Sequence, residues 1–230
     1  MPEVDCELYK LITVGGTDAI PFLQGQLTQD VSLLAEAGQL PAAWCNPKGR
    51  VFTTIRLIHQ EDSIGLVVPA NMADRTIQRL TMYRLRSKVD ISEPDENWAA
   101  IIDADYADPA ALILAGVPTI DEQNTEAYTP HMLNLDKLGA ISFGKGCYTG
   151  QEVVARTENL GKSKRRLMRY EADADSISVG DKLSDGERNV GEVVNVVGRD
   201  LLAVTPVELH AQTLTIDHAT VTPQVLPYDL

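Results

Sequence analysis

The stretch FGKGCYTGQEVVAR, residues 143–156, combines a cysteine, a lysine two residues before it and closely spaced glycines. A thiol reacts as the thiolate, and both a nearby ammonium group and the positive end of a helix dipole favour that form. Cys147 follows Lys145 and precedes a predicted helix, so the pattern indicates a reactive or redox-active thiol. A buried cysteine with a packing role is the alternative. Cys6 and Cys45 have no such setting, and we assign them the packing role.

The same stretch has the spacing of a capping box at a helix N-terminus. Thr149 and Glu152 stand three residues apart, directly before apolar residues, and such side chains satisfy each other's free N–H groups. We therefore predict a helix that begins at Thr149, with Tyr148 and Val153 in the positions of a hydrophobic staple. On this interpretation Glu152 is a structural cap worth about 1 kcal/mol.

A locally basic strip runs from Lys145 to Arg169, in a chain whose formal net charge is −13. Together with a helix N-terminus, the strip could hold a carboxylate or phosphate; it could equally be a solvated face. The overall charge argues against a general nucleic-acid surface, because affinity for phosphates comes from clustered Lys and Arg. We expect no direct sequence-specific binding of nucleic acid.

Length and composition set the broad class. A chain of 230 residues predicts two domains. No apolar run approaches the roughly 20 residues of a membrane span, and the first residues, MPEVDCELYK, lack the apolar region of a signal peptide. We expect a cytoplasmic protein without membrane contact. The cysteines form no CxxC pair and the four histidines stand apart, so neither a zinc site nor a disulfide framework is predicted.

The order of the predicted elements favours an α+β fold. LYKLITVGG reads as a strand, the helix after it is capped by Thr17 or Asp18, and the turn Asn46–Gly49 joins two apolar stretches into a hairpin. SIGLVVPA is a further strand, and Asn71 caps the next helix. This order argues for helices on one face of a mainly antiparallel sheet.

The second half changes texture. AAIIDA, residues 99–104, is a predicted strand, and DPAALILAG is a short helix that ends at Gly116. After Arg169 the chain consists of short β-prone runs separated by Gly, Asp and Pro, which is typical of a small β-barrel. We predict an α+β region over residues 1–162, in two subdomains with a shortened middle part, and a barrel over residues 163–230.

The motif KGCYTGQE, with NLDKLGAISF directly before it, closely resembles the signature of the YgfZ family, folate-binding relatives of the glycine-cleavage T-protein (aminomethyltransferase). Weaker matches at FLQGQLTQDV, NPKGRVFTTIRL and YRLRSKV extend the resemblance over nearly the whole chain. The resemblance implies a cloverleaf of α+β layers around a central channel, closed by the C-terminal β-barrel. It also implies that tetrahydrofolate binds in this channel and that the protein helps to make or repair iron–sulfur enzymes, including those that modify tRNA.

The resemblance also implies site residues. Cys147 is the working thiol, with Lys145 beside it. Tyr9 occupies the place of an aromatic residue that stacks on folate in relatives, and stacking suits a flat pteridine. The expected folate-binding residues are Tyr9, Tyr148, Gln151, Glu152, Arg156 and Arg84. Which basic residue meets the glutamate tail is left open among Arg84, Arg86, Arg156 and Lys162.

Two departures from the family pattern affect the predicted function. The T-protein carries paired acids where this chain has Thr53 and Thr54, so the carboxylate that would support aminomethyl transfer is missing. The region from Trp98 to Asp121 is shorter than in many relatives, and a second aromatic residue of their folate site has no counterpart in it.

We therefore expect an accessory protein rather than an aminomethyltransferase, with folate and iron–sulfur client enzymes or assembly proteins as partners. No permanently bound metal is predicted, because one cysteine cannot supply the several thiolates of a stable cluster. Two alternatives remain: a tetrahydrofolate-dependent one-carbon transferase, and a non-catalytic module in which Cys147 is structural and the basic strip docks an acidic partner or RNA.

Overall fold

The computed structural model describes residues 8–92, 108–161 and 163–230. These residues form a five-stranded sheet with helices packed against it, followed by a closed six-stranded barrel. The predicted α+β class with a C-terminal β-barrel is confirmed. The predictions for Cys6, for the strand at 99–104 and for Lys162 lie outside the described residues.

The sheet is antiparallel throughout, in the order β2-β3-β4-β1-β5. Its strands are β1 (Tyr9–Gly15), β2 (Gln39–Cys45), β3 (Val51–Gln60), β4 (Ser63–Pro69) and β5 (Asp90–Ile91). The hairpin predicted at Asn46–Gly49 is confirmed, since this turn joins β2 to β3. Asn46 closes the turn by accepting the backbone N–H groups of Lys48 and Arg50 with its side-chain oxygen. Gly49 has φ 67°, a conformation that favours glycine.

The described helices are short, apart from the third and the fifth. They are α1 (Ala19–Gln24), α2 (Leu34–Ala37), α3 (Ala73–Arg84), α4 (Pro109–Leu114) and α5 (Gln151–Leu160), with 3₁₀ turns at Val31–Leu33, Ala70–Met72 and Val207–Leu209. The helix predicted to end at Gly116 is α4, and this glycine has φ 68°. The predicted cap at Asn71 is wrong, because Asn71 lies in the 3₁₀ turn before α3 and its amide donates to Asp121 instead.

The core between the sheet and its helices forms around Trp44 on β2, which is fully buried. Phe52 meets its indole edge to face, with ring centroids 5.6 Å apart, and the Arg79 guanidinium lies 4.1 Å from the centroid of the Phe52 ring. Leu23 and Leu27, from α1 and the turn after it, complete the packing. The alternating apolar residues of the strands therefore bury one continuous surface against α1 and α3.

The barrel has its own core, and the order of its strands is β10-β11-β6-β9-β8-β7. Its strands are β6 (Arg165–Ala172), β7 (Lys182–Ser184), β8 (Asn189–Val197), β9 (Asp200–Pro206), β10 (Leu214–Ile216) and β11 (Ala219–Gln224). Tyr170 is fully buried in this core, and its hydroxyl lies 3.0 Å from the Thr205 hydroxyl. The buried tyrosine therefore keeps a hydrogen-bond partner, as buried polar groups require.

Buried amides join the barrel to the loops of the first region. Asn124 donates to the carbonyl of Val194 at 2.8 Å, and Asn134 donates to the carbonyl of Leu167 at the same distance. These bonds fix the loop from 117 to 138 on the barrel surface. No helix in the described part of the chain combines the length and the hydrophobicity that crossing a bilayer requires.

Candidate functional site

Lys145 anchors the cysteine-containing loop from inside the protein. Its ammonium group donates hydrogen bonds to three backbone carbonyls, those of Gln24 (2.8 Å), Leu27 (2.7 Å) and Gln29 (2.7 Å). An ammonium has three N–H donors, and these acceptors match that number. Burial lowers the pKa of Lys145 to about 8, so the group still carries its charge at pH 7. Its predicted role beside the thiol stays a prediction.

The loop lies along the chain that follows α1, and polar side chains of that chain hold it. Thr28 donates to the carbonyl of Ala140 at 2.6 Å, and Gln29 donates to the carbonyl of Gly139 at 2.6 Å. Further along, the N–H of Thr149 donates to the carbonyl of Gly25. The sequence stretches FLQGQLTQDV and KGCYTGQE therefore form one structural unit.

Cys147 lies at the exposed part of this anchored loop and forms no disulfide. Its neighbours Lys145 and Tyr148 are both buried, whereas Gly144 and Gly146 are exposed. The Lys145 ammonium also lies 5.2 Å from the centroid of the Tyr148 ring, a favourable cation–π distance. The thiol is therefore held at the surface between two fixed side chains, as a functional thiol requires.

Cys45 contrasts with Cys147. It is buried, and burial raises the pKa of its thiol to about 12. A thiol with so high a pKa is inert at pH 7. The structural role that we assigned to Cys45 therefore agrees with its surroundings.

The predicted capping box is wrong. Helix α5 begins at Gln151, its N-cap is Gly150, and no side chain caps it. Glu152 is exposed and pairs with Arg156 one helical turn later, at 3.6 Å. The backbone of Thr149 is bound to Gly25, and this contact fixes the entry of the chain into the helix.

Gly150 allows the helix start to contact the β2–β3 hairpin. Its φ is 84°, and a Cβ at this position would lie 2.5 Å from the backbone oxygen of Asn46. On the hairpin side, a Cβ on Gly49 would lie 2.7 Å from the Cβ of Val153. The close approach that these glycines indicate is therefore contact within the protein.

The basic strip is not a continuous cationic surface. Arg166 is buried, Arg169 pairs with Asp200, and Arg165 donates to backbone carbonyls. Among the described residues of the strip, Arg156 and Lys164 are the exposed cations. The strip therefore offers few free charges to an acidic partner.

Tyr9 lines a different part of the molecule. A cavity of about 380 Å³ lies where β1, α4 and the end of β8 meet, and ligand pockets in proteins span roughly 300–1,000 Å³. Tyr9 is buried, its hydroxyl lies 3.3 Å from the hydroxyl of Thr119, and burial raises its pKa. Asn195 fixes Thr119 by bonding both its N–H and its carbonyl. The lining is apolar with a few placed polar groups, including the Asp121 carboxylate.

The predicted site residues, all in the described part of the chain, therefore fall into three places. Lys145, Cys147, Tyr148, Gln151, Glu152 and Arg156 lie in the loop and the first turns of α5; Tyr9 lines the cavity; and Arg84 is exposed at the end of α3. Sequence reasoning missed Thr28 and Gln29 as supports of the loop. The signal was the run of polar side chains in QGQLTQD, which we interpreted only as part of a helix.

Thr53 and Thr54 bind the chain that crosses β3. The Thr53 hydroxyl donates to the carbonyl of Ile120 at 2.9 Å, and the Thr54 hydroxyl accepts the N–H of the same residue at 3.1 Å. Both threonines are buried. Neutral hydroxyls and the Ile120 backbone thus occupy the place where the resemblance to the T-protein puts paired acids.

Comparisons with known proteins agree with this geometry. No protein-family model matches the chain. The chain is 28% identical to the tRNA-modifying protein YgfZ of Enterobacter sp. (strain 638), over 96% of this chain and 91% of that protein. It is 31% identical to the tRNA-modifying protein YgfZ of Hamiltonella defensa, over 68% of this chain and 66% of that protein.

Among solved structures, the fold is similar to that of the glycine cleavage system aminomethyltransferase T from Bartonella henselae. The TM-score is 0.69, at 14% identity, over 95% of this chain and 83% of that protein. At this identity the likeness concerns the fold alone. Taken with the relatives named YgfZ and with the shared motif around Cys147, it leads to one conclusion: the chain belongs to the YgfZ family and has the fold of the glycine-cleavage T-protein.

Proposed function

We propose that this protein is a cytoplasmic, folate-binding accessory protein that supports the assembly or repair of iron–sulfur enzymes, including enzymes that modify tRNA, with Cys147 as its working thiol. The observation that carries the proposal is the exposed Cys147 on a loop that Lys145 and the α1 segment hold rigidly. The relatives' name, tRNA-modifying protein, supports the link to tRNA.

A single exposed thiol suits a transient task. One thiolate can bridge to a partner protein or to a cluster in transit, but it cannot hold a cluster that needs several thiolates. Cys45 is buried, so it cannot join Cys147 without a rearrangement of the fold. Effects on tRNA would then be indirect, through the enzymes that modify it.

The structure argues against both alternatives. A one-carbon transferase would lack a carboxylate at Thr53 and Thr54, whose hydroxyls are bound to Ile120. A module that docks its partner through the basic strip would rely on Arg166, which is buried and paired with Asp136. Neither alternative is favoured by a contact of its own.

Replacing Cys147 by serine is expected to abolish the support of iron–sulfur enzymes in cells. The side chain is exposed, so the substitution should change the free energy of unfolding by no more than about 0.5 kcal/mol. Iron–sulfur-dependent tRNA modifications, quantified by mass spectrometry in cells that lack the native protein, should fall to the level of cells without any copy. The matched control is Cys6→Ser, which should restore these modifications fully. Undiminished modification with Cys147→Ser would refute the thiol role.

Tetrahydrofolate should bind the purified protein saturably, and the Tyr9→Leu variant should weaken this binding about tenfold, which corresponds to about 1.4 kcal/mol. The physical reason is the loss of an aromatic face in the cavity. Isothermal titration calorimetry measures both affinities, and Tyr83→Leu, outside the lining of this cavity, is the control. No saturable binding by the parent protein would remove the folate claim; equal binding by Tyr9→Leu would move the site away from Tyr9.

A further inference from the structure

Three side chains with metal-binding groups meet beside the C-terminal half of α5. His131, Asp136 and Glu158 each offer one ligand atom, and these atoms all lie within 4.8 Å of one another. The Nε2 atom of His131 lies 3.0 Å from Oε2 of Glu158. The three residues come from two stretches of the chain separated by the cysteine motif, so no spacing in the sequence indicates the cluster.

The cluster has both a fixed part and room for a ligand. The side chains of His131 and Asp136 are 2% and 8% exposed, whereas that of Glu158 is 46% exposed and can adjust. All three line a cavity of about 740 Å³, which leaves space for an ion and for coordinating water.

The buried imidazole uses only one of its nitrogens. Nε2 faces Glu158, whereas Nδ1 is buried without a hydrogen-bond partner in the structure. Buried polar atoms without a protein partner are uncommon in folded proteins, and many of them bind an ion or a water molecule. The cavity is therefore lined by a histidine whose hydrogen-bonding capacity is not filled.

Arg166 is compatible with a cation at this place. It donates two hydrogen bonds to Asp136, at 2.6 and 2.9 Å. An ionised carboxylate has about four lone-pair sites, so two remain, and ligating carboxylates are commonly oriented by such second partners. Lys137 and Lys164 also line the cavity but are exposed, where solvent screens their charge.

We propose that His131, Asp136 and Glu158 form a binding site for a divalent transition-metal ion, with Zn²⁺ the best match to one imidazole and two carboxylates. Water completes the coordination, because the cavity is open on one side. The bound ion ties the loop that holds His131 and Asp136 to α5, the helix that begins in the cysteine motif. The proposal is independent of the proposed folate and thiol functions.

Binding is tested on the full chain after alkylation of its accessible cysteines, so that thiolates cannot bind the metal. Titration with ZnCl₂ by calorimetry should show one saturable site, and Co²⁺ should give visible d–d absorption without a thiolate charge-transfer band. Excess Zn²⁺ should raise the midpoint of thermal unfolding, because it binds the folded state.

The Glu158→Gln variant decides the assignment. It removes one charged ligand at a half-exposed position and should weaken Zn²⁺ binding at least about tenfold, as changes around metal sites do. Glu152→Gln, the same substitution on the same helix outside the cluster, should bind like the parent. His131→Gln should bind more weakly still; if that variant does not fold, Glu158→Gln remains decisive. An alkylated parent protein that binds no metal, or a Glu158→Gln variant that binds as tightly as the parent, would overturn the proposal.

Discussion

Replacing Lys145 by methionine is expected to lower the free energy of unfolding by about 3 kcal/mol. The substitution keeps a long apolar stem but removes the donor from the carbonyls of Gln24, Leu27 and Gln29, two of which receive it in buried surroundings. Each buried carbonyl left without a donor costs about 1–3 kcal/mol, and the relieved burial of the charge offsets part of the sum. Urea unfolding followed by circular dichroism measures the change.

The control is Lys48→Met, an exposed lysine in the β2–β3 turn, which should alter stability by less than about 0.5 kcal/mol. In Lys145→Met, amide hydrogen exchange should also speed up across the loop from 139 to 149. A variant as stable as the parent, with unchanged exchange, would show that the three hydrogen bonds do not hold the loop.

Replacing Arg166 by methionine should cost about 3–5 kcal/mol, because it leaves a buried carboxylate without its counter-ion. Arg166 and Asp136 have side chains that are 10% and 8% exposed, and their two hydrogen bonds connect β6 of the barrel to the loop before the cysteine motif. The free energy of unfolding should therefore fall for the whole chain, as followed by tryptophan fluorescence and circular dichroism together.

Arg199→Met supplies the matched control for this pair. Arg199 and Asp175 form an ion pair at 3.2 Å, but their side chains are 54% and 75% exposed, and such pairs contribute about 0–1 kcal/mol. If both variants lost the same small amount, the barrel would not depend on the buried pair for its attachment.

The parts of the fold that local sequence determines could be predicted. The Asn46–Gly49 hairpin and the Gly116 helix end depend on turn residues whose backbone preferences act within a few positions. The barrel followed from short β-prone runs with frequent turn residues. These predictions needed no knowledge of distant contacts.

The capping box failed for a reason that the sequence does not show. Thr149 and Glu152 have the right spacing, but the close contact of Gly150 with Asn46 fixes the helix start one residue later. A tertiary contact thus overrides a local preference worth about 1 kcal/mol.

The candidate site was found in part. The motif indicated Cys147, and the structure places this residue at the surface. The partners of Lys145 are backbone carbonyls more than a hundred residues away, so side-chain types could not reveal them. The cluster of His131, Asp136 and Glu158 depends in the same way on a path of the chain that composition does not encode.

The hydrogen bonds of Thr53 and Thr54 make the loss of the T-protein acids difficult to reverse in evolution. An aspartate at position 53 would direct a carboxylate toward the carbonyl of Ile120, which now accepts the threonine hydroxyl. Two acceptors cannot share that contact, so the loop at Ile120 would have to move before a restored acid became useful. A lineage with this loop has no single-substitution route back to the acidic pair, and selection acts on it as a separate branch of the fold.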